Sequence, residues 1–269
     1  MQKQSVWLGP LRPIVRSAMI ILVGLTLFMW AWLALGAMLF GTGIGMQNML
    51  RPEGNLSVIA TLWFGFGAII LVAVYLSDTV GAIETQPKGA LDVVSLICAR
   101  LAMVGIVAVV VVMFYEVVAR YVFEKPTLWA NEFSLWIAGF IFLLAGLYAM
   151  QQRSHISIYI VYDMMPRWAK KTSDVVSVAL IWVFALSLIW GGFNEAWDKM
   201  IRWETFGTAW DPPLPGTIKP GILILIGLVA VQALSNLILD WNSDRGTHSP
   251  LDEIDQTEIE NLRRTLESK

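Results

Sequence analysis

Three stretches of this chain run for twenty residues without a charged side chain, and they constrain the fold more than any other feature. They are Phe133 to Gln152, Val175 to Asn194 and Pro220 to Leu239. A helix rises about 1.5 Å per residue, so a stretch of this length covers about 30 Å, the thickness of a bilayer's hydrocarbon core. The sequence therefore predicts an all-α integral membrane protein.

The composition supports a membrane protein and excludes several other classes. Hydrophobic residues make up 57% of the chain and charged residues 15%, well below the roughly 25% charged residues of soluble domains. A net charge of −2 provides no basic excess for a phosphate backbone, so nucleic acid is not an expected partner. Cys98 is the single cysteine, which rules out an intrachain disulfide.

Three further apolar stretches complete a set of six predicted transmembrane helices. They cover residues 17–40, 56–77 and 101–122. The third runs past Glu116 and Arg120, which are four residues apart and can pair on one helix face near the interface. The first could instead be a secretory signal cleaved near Ala34, but its apolar run exceeds the roughly 7 to 15 residues of such signals.

The distribution of basic residues predicts the orientation. With six spans both termini lie on the same side of the membrane. Counted without the C-terminal tail, a cytoplasmic N-terminus places nine Lys and Arg residues inside and six outside, as the positive-inside rule favours. We therefore expect both termini in the cytoplasm.

Two segments between the spans are predicted to lie along the membrane surface as short amphipathic helices. In the first, from Arg120 to Phe133, Pro126 interrupts the preceding helix and Thr127 can cap a new turn. The second, from Gln151 to Lys171, combines isoleucines with basic ends and is expected on the inner leaflet. An ordinary basic loop is the alternative for this second segment.

The predicted spans lack the groups that build a transport or catalytic site. We expect no proline inside a span, with Pro220 marking the start of the last one, and no polar pocket between the helices. His155 and His248 are the only histidines and fall outside the spans, so two intramembrane histidines are not available to hold a haem. No metalloprotease, phosphate-binding or nucleophile-elbow motif is present. The chain is expected to be neither an enzyme nor a cofactor-binding protein.

An ordered set of short motifs in the second half of the chain resembles a known family. Arg120 and Tyr121 are followed by further matching positions at characteristic spacing, namely Phe123, Pro126, Trp129, Glu132, Arg153, His155, Ile156, Asp163 and Pro166. Together they resemble the DctQ-like small permease, the small membrane subunit of tripartite ATP-independent periplasmic (TRAP) transporters. The resemblance covers about Leu91 to Trp241, or four spans.

The resemblance implies a domain organisation and a set of partners. Residues 1–85 would be a two-helix membrane extension, 86–241 the four-helix small-permease core, and 242–269 a polar cytoplasmic tail. Family members pair with a large permease subunit that holds the sodium ion. A periplasmic solute-binding protein delivers a carboxylate solute to that pair. This chain would then be a scaffold in the bacterial inner membrane.

Eight residues are candidates for structural or partner-interface roles in such a scaffold. Glu116, Arg120 and Glu132 would fix the outer corner between spans three and four, and Trp129 and Trp168 would set the depth at the two interfaces. Arg153 would hold the inner segment against anionic headgroups. The remaining two candidates come from the motif that follows Arg153, and they are His155 and Asp163.

Two other classes of protein remain open from the sequence. The chain could anchor a different membrane complex, such as a redox enzyme whose cofactors lie in a partner. It could also be a small transporter that works alone as an oligomer.

Overall fold

Seven α-helices form the part of the chain that the structure describes. The computed structural model describes residues 5–41, 43–81, 84–153 and 165–241. The helices are α1 (Arg12–Phe40), α2 (Met46–Leu50), α3 (Leu56–Ser77), α4 (Ala90–Tyr121), α5 (Ala130–Gln151), α6 (Arg167–Ile201) and α7 (Leu214–Asp240), and a short 3₁₀ helix, Gly9–Leu11, precedes α1. All but α2 are long and apolar enough to cross a membrane. The predicted all-α fold with six spans is confirmed.

The six long helices pack mainly as neighbours in a row. Helix α1 packs on α3, α3 on α4, α4 on α5, α5 on α7, and α7 on α6, with a smaller contact between α4 and α7. Alanines fill many of the buried positions, including Ala73, Ala99, Ala185 and Ala230. Small side chains let helix backbones approach closely where lipid provides no hydrophobic drive for association.

Successive long helices run in opposite directions and define two faces of the protein. We call the end at which α1, α4 and α6 begin the N-terminal face, and the other end the opposite face. Residues 78–89 and 152–166 connect helices at the N-terminal face, whereas 41–55, 122–129 and 202–213 connect them at the opposite face.

The third span begins earlier than predicted. Helix α4 starts at Ala90 rather than Leu101, so Asp92 and Arg100 lie inside it. Both side chains are buried, and both have hydrogen-bonding partners within the protein. Because these charged side chains bind partners within the protein, the helix can include them, whereas a search for uncharged stretches ends the span before them.

The expectation that Pro220 starts the last span is wrong. Helix α7 begins at Leu214, which places Pro220 inside the helix. A proline ring removes one backbone hydrogen bond, a loss that packed membrane helices accommodate. The prediction failed because Pro215, in the first turn, already provides a favourable helix start that lies outside the uncharged stretch.

The predicted surface helix between Arg120 and Phe133 is also absent from the described structure. Helix α4 ends at Tyr121, and α5 begins at Ala130 with no side-chain cap from its N-cap residue, Trp129. Thr127 binds Glu116 of α4 instead of capping a new turn. The second predicted surface segment lies largely outside the described residues, and α6 is already helical from Arg167.

Gly216 allows the loop before α7 to fold against the start of that helix. An added Cβ would lie 3.1 Å from the backbone N and O of Glu204 and 3.2 Å from the carbonyl O of Lys199. Backbone atoms move less readily than the ends of side chains, so an added methyl group at Gly216 would disturb this turn.

We expect Gly216→Ala to lower the stability of the purified protein by about 1–3 kcal/mol, the usual range for overpacking. Thermal unfolding in detergent measures the change. Gly191→Ala is the matched control, since Gly191 is exposed on α6 and an added Cβ would meet no atom within 4 Å. Equal melting temperatures for the two variants would contradict the proposed close contact.

Candidate functional site

A buried polar cluster joins α4, α5 and α7 near the N-terminal face. Gln232 Nε2 donates to Asp92 Oδ1 at 2.8 Å and to Asn236 Oδ1 at 3.0 Å. Ser95 Oγ donates to Gln232 Oε1 at 3.3 Å, and Asn236 Nδ2 donates to the carbonyl O of Met150 at 2.7 Å. The expectation of no polar pocket between the helices did not anticipate such hydrogen-bonded polar groups, which join the helices directly.

Every member of this cluster has a partner, which makes it a structural link between helices. The other carboxylate oxygen of Asp92 accepts from the backbone N–H of Lys88 at 2.9 Å. Gln232 is 1% exposed and Ser95 is fully buried. A buried polar group without a hydrogen bond costs free energy, so the loss of one partner would destabilise the contacts of the others.

A second cluster centres on Glu84, in the connection between α3 and α4. Arg100 binds the carboxylate through two parallel hydrogen bonds, Nη1 to Oε1 at 2.9 Å and Nη2 to Oε2 at 2.7 Å. Tyr148 Oη of α5 donates to Oε1 at 2.7 Å, and the backbone N–H of Gly81 donates to Oε2 at 2.7 Å. Burial disfavours the charged carboxylate, but the hydrogen bonds from Arg100, Gly81 and Tyr148 outweigh it and lower the pKa of Glu84 to about 2.

Asp78, directly after α3, binds the segment that precedes α1. Its Oδ1 accepts from Ser5 Oγ and from the backbone N–H groups of Val6, Trp7 and Leu8, at 2.9 to 3.0 Å. Its Oδ2 lies 3.4 Å from Arg12 Nε. Burial raises the pKa of Asp78, but these donors outweigh it and hold the pKa below the usual range. The carboxylate therefore closes the α1–α3 hairpin.

The corner between α4 and α5 at the opposite face contains the predicted Glu116–Arg120 pair. Arg120 Nε lies 3.0 Å from Glu116 Oε1. The other oxygen, Oε2, accepts from the backbone N–H of Thr127 at 2.9 Å and from its hydroxyl group. Glu116 is buried, whereas 43% of the Arg120 side chain is exposed. The pair thus fixes the connection that follows α4.

Glu132, at the start of α5, binds the connection between α6 and α7 instead of the α4–α5 corner. Its Oε2 accepts from Thr208 Oγ1 at 2.6 Å and from the backbone N–H groups of Trp210 and Asp211 at 3.1 and 3.0 Å. Trp210 is 3% exposed and packs its ring against Phe133 and Trp136. Glu132 and Trp210 together position this connection.

The other predicted residues occupy different environments. Trp129 stacks on Tyr115 with ring centroids 5.9 Å apart. Trp168, at the start of α6, is 73% exposed. Arg153 pairs with Asp240, Nε to Oδ2 at 2.6 Å and Nη2 to Oδ1 at 2.9 Å, so its guanidinium already has a protein partner. His155 and Asp163 lie outside the described residues.

Several important residues were not predicted from the sequence. Asp92 and Arg100 precede the third span predicted over residues 101–122, and Glu84 belongs to no recognisable motif. The positions of Gln232 and Asn236 could have predicted a polar contact, because polar side chains four residues apart in an apolar helix lie on one face. Nothing in the sequence marks Trp210 as buried, and only the tertiary structure shows that it is.

The carboxylates in these contacts are arranged to hold helices and their connections in place, and this arrangement favours a structural role over a catalytic one. Glu84, Asp78, Glu116 and Glu132 each accept from several donors of this same chain. Within the residues that the structure describes, no group of three or more His, Cys, Asp or Glu side chains could hold a metal ion.

Comparison with known proteins gives a family match and one informative relative. The family model described as "Tripartite ATP-independent periplasmic transporters, DctQ component" matches residues 109–243, about half of the chain. The chain is also similar to a C4-dicarboxylate TRAP transporter small permease protein DctQ of Vibrio cholerae, at 24% identity over 112 residues. That alignment covers 42% of this chain and 48% of the relative, so the chain spans about half the length of the relative. No solved structure matches the chain.

We expect Glu84→Gln to destabilise the protein by about 3–5 kcal/mol, because it leaves the Arg100 cation buried without its counter-ion. The pH dependence has a definite sign. The folded-state pKa of about 2 is lower than the unfolded value of about 4.3. The stabilisation is therefore complete above about pH 4.3 and is lost as the pH falls towards 2.

Thermal unfolding between pH 6 and pH 3 measures both effects of this substitution. The wild-type protein should lose stability more steeply in acid than Glu84→Gln. Glu53→Gln, which changes an exposed carboxylate at the opposite face, is the control and should follow the wild-type curve. Parallel curves for wild type and Glu84→Gln would show that this carboxylate does not contribute as argued.

Proposed function

Because the chain belongs to the DctQ component family of tripartite ATP-independent periplasmic transporters, we propose that it braces a larger permease subunit during solute uptake. The family match over residues 109–243 carries this conclusion. The chain is a multi-pass inner-membrane protein and a transporter component. Its pairing with a large subunit, the sodium coupling of uptake and the carboxylate nature of the solute are parts of the proposal.

The packing of the helices supports a bracing role. The described helices follow one another in a row, and the outermost two, α1 and α6, each have one principal neighbour among them. Large apolar side chains on α6 point outwards, including Phe184 and Trp190, which is 90% exposed. Such a surface can be covered by lipid or by another membrane subunit.

The polar contacts support the same role from the inside of the protein. The clusters around Asp92 and Glu84 join helices near one face, and Glu116 and Glu132 hold the connections at the other. Under this proposal, this chain is the rigid frame against which the transport domain of the large subunit moves. We therefore assign sodium and solute binding to the large subunit and delivery to a periplasmic solute-binding protein.

The orientation is part of the proposal. Cytoplasmic termini would place the N-terminal face inside the cell and the opposite face in the periplasm. The corner formed by Glu116, Arg120 and Thr127 would then lie on the side from which the binding protein delivers its solute.

Co-purification with the proposed partners tests the assembly. A tagged copy of this chain, expressed together with the proposed large permease subunit, should retain that subunit in mild detergent. Reconstituted together with the binding protein and a sodium gradient, the pair should take up a carboxylate solute. Solute-specific flux through the lone chain in liposomes would contradict the bracing role.

We expect Arg120→Gln to weaken assembly or uptake without changing solute affinity at the binding protein. The substitution removes the cation from Glu116 and loosens the connection that contains Thr127. Pull-down yield and initial uptake rate measure the effect, and solute titration of the isolated binding protein is the internal check. Lys125→Gln, an exposed cation in the same connection, is the matched control. Wild-type uptake by Arg120→Gln would exclude this role for the corner.

A further inference from the structure

We propose that the α1–α3 hairpin is fastened to the four-helix core at both membrane faces, so that all six long helices form one rigid body. The hairpin comprises residues 5–78 and lies entirely outside the family-matched region 109–243. Its attachment rests on contacts within this chain and does not depend on the proposed function.

The hairpin is closed on itself before it meets the core. At one end Asp78 holds the N-terminal segment through four hydrogen bonds. Along its length α1 approaches α3 closely, since an added Cβ on Gly67 would lie 2.8 Å from Leu22 Cδ2. The two helices therefore behave as one element, and α3 packs this element against α4.

At the N-terminal face Arg100 fastens the end of the hairpin to the core. Its Nη2 donates to the carbonyl O of Thr79, just after α3, at 3.0 Å, in addition to its two bonds with Glu84. Thr85 extends the link, because its backbone N–H donates to Gln152 Oε1 at 2.9 Å and its hydroxyl group accepts from Gln151 Nε2 at 3.2 Å.

At the opposite face the connection between α1 and α3 binds the connection between α6 and α7. Arg51 Nη2 lies 2.8 Å from Asp211 Oδ2, and Trp210 Nε1 donates to the carbonyl O of Met46 at 3.1 Å. Glu132 holds Trp210 and Asp211 in the core, so the hairpin contacts a surface that is itself fixed. Hydrogen bonds from Gly207 and Arg51 keep the pKa of Asp211 low, against the opposing effect of partial burial.

Attachment at two separate places restricts tilting of the hairpin relative to the core, which attachment at one place would permit. Helix α3 has 22 residues, so the two sets of contacts are about 33 Å apart along it. A hairpin attached at one end could still tilt about that end, and the second attachment removes this freedom. The core and the hairpin would then shift together in the membrane.

Distances between spin labels on the full-length chain in lipid nanodiscs test the proposal. Cysteines replace Leu27 on α1 and Phe142 on α5, both exposed, in a Cys98→Ala background. Double electron–electron resonance (DEER) spectroscopy should give one narrow distance distribution for this labelled protein when no further residue is changed. A broad or multi-peaked distribution would overturn the proposal.

Variants at the two faces show whether the fastenings are responsible. Arg51→Gln changes a side chain that is 52% exposed, so the variant should fold, and it is expected to broaden the distribution. Arg51→Gln combined with Glu84→Gln should broaden it further, whereas the exposed neighbour Glu53→Gln should leave it unchanged. A wild-type distribution both in Arg51→Gln and in Arg51→Gln combined with Trp210→Phe, which also removes the hydrogen bond to Met46, would show that the opposite-face contacts are not needed, which overturns attachment at two faces.

The lone chain is measured in this experiment, without any second subunit. The measured distances therefore do not depend on whether the proposed function is correct. Conversely, a mobile hairpin would not contradict a bracing role of the four-helix core.

Discussion

Polar groups that lie between these helices must find their partners within the protein, because lipid offers no hydrogen bonds. This requirement explains where the structure is held together. Asp92 in α4 is bound by Gln232 of α7, and the Arg100 cation is neutralised by Glu84. Between the two faces the helices rely on small residues and close contact, as at Gly139, where an added Cβ would lie 2.8 Å from Ile218 Cδ1.

The sequence was sufficient for the architecture, and its success has a physical cause. The bilayer sets a length, so uncharged stretches of about twenty residues identify spans without knowledge of their neighbours. The same rule misplaced the start of α4, since Asp92 and Arg100 have partners that only folding brings near. It also failed at Pro220. The uncharged stretch begins at this residue, whereas helix α7 begins at Leu214 and contains it.

The candidate residues were harder to place than the helices. The pairing of Glu116 with Arg120 could be predicted, because both lie on one helix at a favourable spacing. The contact of Glu132 with the connection before α7 joins positions more than 70 residues apart. The partner of Arg153, Asp240, is 87 residues away. Contacts of this range depend on which helices are neighbours, and the pattern of one sequence does not contain that information.

The long separation between Asp92 and Gln232 has a consequence for biogenesis. Ribosomes make the chain from its N-terminus, so Glu84 is already present when Arg100 leaves the translocon, and that ion pair can form early. Asp92 is 140 residues ahead of Gln232, its partner in the last span. Its buried hydrogen bond can form only after the last span has been synthesised, so insertion of the helices must precede their final locking.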